Sequence, residues 1–140
     1  MAQTVREKSM RAVAWVLQCY QRLRYPDILP SDIAADLGLA KARFLNFDDL
    51  FNLLTDENCS LKRLSRFMPR EKAEAVFSRA QRQERFGRSA LYSYYFNEGW
   101  LEFILHFDEE ARLRRVYFQH KRLQTQQRVE LAVIKNFSGN

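Results

Sequence analysis

The sequence predicts an α+β fold, with four or five N-terminal helices packed on one face of a three- to four-stranded antiparallel β-meander. Three observations lead there. Residues 86 to 118 hold ten of the chain's nineteen aromatics, in runs of aromatic and branched side chains. Asn97-Glu98-Gly99 and Asp108-Glu109-Glu110 punctuate those runs as turns. Upstream, apolar residues recur at helical spacing instead. A length of 140 residues fits a single domain, helical over about 4–87 and a meander over about 89–135.

The first predicted helix runs from about Val5 to Arg24. Thr4 and Glu7 have capping-box spacing, Val13, Val16, Leu17, Tyr20 and Leu23 form its stripe, and Pro26 stops it. A short helix follows Pro30, with Ser31 as its cap and Gly38 at its end. A third starts at Asp48 and carries Leu50, Phe51, Leu53 and Leu54. Leu61, Leu64, Phe67 and Met68 make a further short apolar face, cut at Pro69. Pro69 suits the first turn of a helix over about Arg70 to Arg85, with Ala73, Val76, Phe77 and Ala80 facing inward.

The predicted sheet begins at Ser89. Leu101, Phe103, Leu105 and Phe107 alternate with Trp100, Glu102, Ile104 and His106, and the first set is the better core face. The strand Leu113 to His120 can be phased two ways, and Arg114-Arg115 suits neither face. Val129, Leu131 and Val133 alternate again and suggest a fourth strand.

Charge is unevenly placed. The net +6 is matched by residues 62 to 88 alone, where nine bases meet Glu71, Glu74 and Glu84. Residues 26 to 57 are acidic by contrast. A concentrated basic segment attracts phosphates or an acidic protein surface. This predicts a small, non-catalytic, cytosolic binding or regulatory protein that docks an acidic partner through a basic helix and an aromatic sheet face. The candidate residues are Lys62, Arg63, Arg66, Lys72, Arg79 and Arg82, with Tyr92, Tyr94 and Trp100. The competing interpretation of the charges is a solvated helix face, and of the rings, core. Self-association through the sheet edge or aromatic face is compatible with the same pattern.

A nucleic-acid binder is the alternative. Ala34, Gly38, Leu39, Phe44 and Phe47 have the spacing of a helix-turn-helix, which would aim Lys41, Arg43 and Asn46 at a major groove. Asp48 and Asp49 oppose that, and plain helix packing explains the same spacing. Stacking of a single strand on the tyrosines beside the basic segment is the other form.

Catalysis has little to stand on. His106 and Glu102 share a strand face, yet no nucleophile, glycine-rich phosphate loop or ligand cluster accompanies them. Cys19 and Cys59 read as buried hydrophobes, so no metal or cofactor is expected. The N-terminal residues lack the apolar run of a secretory signal, and no run is long enough to span a bilayer. A reducing cytoplasm is the expected compartment.

Overall fold

The computed structural model describes residues 28–39, 44–123 and 128–137. Among these are three helices and six strands: α1 (Pro30–Leu37), α2 (Phe47–Thr55), β1 (Ser60–Ser65), α3 (Arg70–Ala75), β2 (Arg82–Phe86), β3 (Ser89–Phe96), β4 (Gly99–Phe107), β5 (Leu113–Gln119) and β6 (Val129–Ile134). The strands form one sheet in the order β1-β6-β5-β4-β3-β2. From β2 to β6 it is an antiparallel meander, while β1 joins β6 in parallel. The sheet is therefore mixed and six-stranded, which corrects the expectation of four or five helices on a three- to four-stranded antiparallel meander. The predicted helix over Val5 to Arg24 lies outside the described residues.

Two extra strands account for the correction, and each misled for a physical reason. In β1, Leu61 and Leu64 are both buried, three residues apart, as on a helix. The register with β6 shifts between Leu61 and Ser65, and a bulge there turns both leucines inward. In β2 all five residues are exposed, so no alternation marks a strand. It is an edge strand, paired to β3 through a tight turn at Gly87, whose φ of 56° favours glycine. Helix α3 consequently ends at Ala75, not near Arg85.

The helix starts also differ in detail. Pro30 occupies the first turn of α1, and Ser31 lies inside the helix, with Leu29 at the cap position. For α2 the cap is Asn46: its Oδ1 accepts from Asp49 N–H at 2.8 Å, and Asp49 returns a bond to Asn46 N–H at 3.1 Å. Gly38 ends α1 at φ 76° and presses on β1, where a Cβ would stand 3.0 Å from the Arg63 nitrogen. Only glycine fits that approach.

The helices cover one face of the sheet. Tyr92, Tyr94, Leu101, Phe103, Leu105, Val116 and Phe118 lie beneath them, all buried. Phe77, just past α3, stacks on Tyr92 at 5.0 Å and tilts against Phe103 at 5.4 Å. Phe47 of α2 meets Phe96 at 5.2 Å and His120 at 4.9 Å. Each buried aromatic or leucine contributes roughly 1.5–3 kcal/mol, so this layer is the main source of stability. The bulge between His106 and Phe107 settles the phase of β5, allowing Leu113, Val116 and Phe118 all to point inward.

Polar clasps fix the helices on that face. Glu74 of α3 accepts from the Tyr92 hydroxyl, from Arg85 and from Arg70. Burial pushes its carboxyl up, but those bonds and the two guanidinium charges outweigh burial and leave it below its ordinary range. At α2, Arg122 lies over the Phe47 and Phe51 rings and pairs with Asp48, while its N–H donates to His120 Nδ1 at 3.1 Å.

Candidate functional site

The nine residues of the predicted docking surface do not form one surface. Lys62 and Arg63 are exposed on β1, and Arg66 follows that strand. Lys72 sits on α3, with its Nζ 5.1 Å from the Phe137 ring. Arg79 reaches α1 from an exposed position, pairing with Asp36 at 2.9 Å and Asp32 at 3.7 Å. Arg82 lies on the opposite face of the sheet, its guanidinium 4.8 Å above Trp100. Tyr92 and Tyr94 are core residues beneath the helices, which leaves Trp100 as the one ring of the three on the face opposite the described helices. No basic helix exists to carry the charges, because residues 62 to 88 are divided among β1, α3 and β2.

What the structure does assemble is a cationic groove at the β1 end of the sheet. Beyond β1, the Arg66 N–H donates to the Ile134 carbonyl at 2.8 Å, and the Phe137 N–H donates to the Arg66 carbonyl at 3.0 Å. The chain then crosses to β5, with Phe67 N–H on the Leu113 carbonyl at 2.7 Å. Phe67 adopts a φ of 71°, a left-handed backbone rare for a bulky residue. Its carbonyl accepts from Arg112 at 3.3 Å, and Arg114 lies 4.5 Å over its ring. The adjacent groove measures about 390 Å³ and is lined by Arg66, Arg114, Arg115 and Lys135 against one acid, Glu130. Arg115 stands 3.9 Å from that acid. Arg66 and Lys135 make no ion pair among the described residues. Ile134, beside Lys135, and Phe67 expose apolar surface at the same place.

A larger groove of about 690 Å³ next to it has a different balance, because Arg88, Arg112 and Arg114 are met by Asp108, Glu109 and Glu110. Asp108 is spent on the turn. It accepts from the Glu110 and Arg112 N–H groups at 2.9 and 3.0 Å and from Arg114 at 3.0 Å. The backbone bond from Arg112 is the chief cause that holds its carboxyl low. This is loop architecture, with Asp108 paired to Arg114 and Glu109 to Arg88.

The helix-turn-helix geometry is not built in the described residues. Lys41 and Arg43 lie outside them. Asn46 is consumed in capping α2, Phe44 is 93% exposed and not helical, and α2 opens with Asp48 and Asp49. Nor do His106 and Glu102 meet as a pair. Glu102 accepts from Gln119 at 3.3 Å and Ser93 at 3.5 Å, while His106 lies edge-on to Tyr117 at 5.2 Å. Burial, then the charges of Arg128 and Arg115, hold the His106 ring below its ordinary basicity. Burial first and Asp56 second push the Cys59 thiol up. No group of three or more ligand-type side chains is disposed for a metal among the described residues.

Arg114, Arg115 and Lys135 escaped the sequence reading because they lie far along the chain from the basic run. Their one visible signal was Arg114-Arg115, a pair that fitted neither face of a strand. No described helix is long and apolar enough to cross a membrane. No protein-family model matches the chain, and no curated protein or solved structure matches it either.

Proposed function

We propose that the chain is a small, non-catalytic cytosolic binding protein that docks an acidic segment of a partner protein in the Arg66–Arg114–Arg115–Lys135 groove. The observation that carries this reading is the charge of that groove: Arg114 is paired with Asp108 and Arg115 stands beside Glu130, while Arg66 and Lys135 make no ion pair among the described residues. Lys62 and Arg63 on β1 extend the positive field beyond the groove. Exposed bases steer an anionic partner and set its orientation, while guanidinium groups and exposed apolar side chains supply anchors. Arg114 over Phe67, with Ile134 nearby, offers both.

Fluorescence polarisation with a labelled glutamate-rich peptide tests the proposal. Binding is expected at low salt and should weaken steeply as salt is added. The double variant Arg66→Glu/Lys135→Glu should lose about tenfold or more, equivalent to roughly 1.4 kcal/mol. Absence of peptide binding at low salt, or an undiminished variant, overturns it. If single-stranded or duplex oligonucleotides bind through the same residues and the peptide does not, the nucleic-acid alternative takes its place.

A further inference from the structure

His120 is the more deeply enclosed of the two histidines, 6% exposed where the chain leaves β5. Several elements close around its ring. From α2, Phe47 lies 4.9 Å away and Phe51 5.6 Å, ring to ring. Phe96 at the end of β3 backs Phe47 at 5.2 Å, and Phe118 meets Phe51 edge-on at 6.3 Å. The start of β4 brings up Gly99, where an added Cβ would stand 3.5 Å from Nε2.

The two ring nitrogens are placed differently. Nδ1 accepts the Arg122 N–H at 3.1 Å, so its lone pair is in use and the neutral ring carries its proton on Nε2. Nε2 is buried and makes no hydrogen bond among the described residues. A second proton can enter only at Nδ1, where it would meet the Arg122 N–H donor against donor. The surrounding charges oppose it as well. Lys121 and Arg122 are both close, Asp48 of α2 is already paired with Arg122, and Glu98 in the β3–β4 turn is the acid that remains.

We infer that His120 is an acid-sensitive latch: the neutral ring clamps α2 to the sheet, and on taking up a proton it releases that helix while β3, β4 and β5 stay paired. Protonation breaks the Nδ1 bond and loosens the turn that carries Arg122, whose guanidinium is seated over Phe47 and Phe51. Phenylalanine faces attract a cation, but Arg122 already lies over both of these rings. A charged imidazole enclosed there is costly, and hydrating it requires α2 to lift. The β3–β4 and β4–β5 ladders end short of His120, so they need not open with it.

Burial first, then the Arg122 charge and the weaker Lys121 one, hold the ring below its ordinary basicity against a smaller pull from Glu98. The folded ring therefore takes up its proton later than the unfolded one as pH falls. The latch's contribution is complete well above the ordinary value of 6.5 and is lost as pH drops below it toward the lower folded value.

Hydrogen exchange of α2, followed by mass spectrometry at about pH 7.5 and about pH 5.5, tests the inference, because histidine ordinarily titrates in that window. After correction for the intrinsic pH dependence of exchange, opening of α2 should rise on the order of tenfold at the lower pH, with β3 and β4 unchanged. His120→Phe keeps a ring that has no proton to gain, and His120→Asn keeps an acceptor for the Arg122 N–H. In both, the ratio between the two pH values should fall to about one. His106→Gln leaves His120 as the sole histidine and should retain the full response. That arm decides the matter even if circular dichroism shows that neither His120 variant folds. A wild-type ratio of about one overturns the inference, as does a rise that extends equally to β3 and β4. So does a response that persists in a folded His120 variant, or one that vanishes in His106→Gln.

Discussion

The two faces of this sheet use the same strands to different ends. On the helix-covered face, alternate residues of β3, β4 and β5 are large, apolar and fully enclosed. On the other face the intervening positions mix Trp100, Ile104 and Tyr117 with Glu102, His106 and Arg115, and much of the contact is lateral, between neighbouring strands. One face supplies most of the folding energy.

That contrast can be broken most forcefully at Phe77. Phe77→Ala opens a cavity against Tyr92 and Phe103 and should cost about 3–5 kcal/mol, read by denaturant unfolding. A loss below about 1 kcal/mol would show that the covered face is not the dominant core.

Glu74 gives the next effect. Glu74→Gln weakens the charge-assisted bonds to Arg85, Arg70 and Tyr92, and the expected loss near neutral pH is about 1–3 kcal/mol. The folded carboxyl sits below its ordinary value of 4.5. Its contribution is therefore complete above that value and is lost as pH falls through the lower folded one. Wild type should lose stability over that acid range, and the glutamine variant should lose less. Parallel pH profiles would remove Glu74 from the account.

The smallest effect belongs to the face opposite the described helices. Arg82→Ala removes a guanidinium from above Trp100 and should change stability by about 1 kcal/mol or less, since exposed cation–π contacts are worth roughly 0.5–1 kcal/mol. A loss as large as that at Phe77 would erase the distinction between the faces.

Sequence patterning carried some of these elements and missed others for identifiable reasons. The alternation from Leu101 to Phe107 was plain because one side of β4 is wholly enclosed. The leucines of β1 imitated a helix because a bulge changes the spacing of inward residues. Arg82–Phe86 had no inward residues to betray it. The candidate groove was hidden for a different reason. Its bases come from the end of β1, the start of β5 and the end of β6, and only the fold brings them together. Asn46 shows the converse: the helix-turn-helix spacing aimed it at a groove, but its side chain serves as a cap.

The parallel pairing of β1 with β6 has a kinetic consequence. Ser60 meets Ala132, so the ladder closes a loop of about 70 residues, and its entropy must be overcome before any hydrogen bond of that ladder forms. The hairpins from β2 to β5 involve short loops and can assemble early. During synthesis β1 emerges long before its partner strand and must wait, with Leu61 and Leu64 uncovered, until residues 129 to 134 leave the ribosome. The strand that bears Lys62 and Arg63 is thus among the last parts of the sheet to be secured, and those two charges guard it against premature association in the interval.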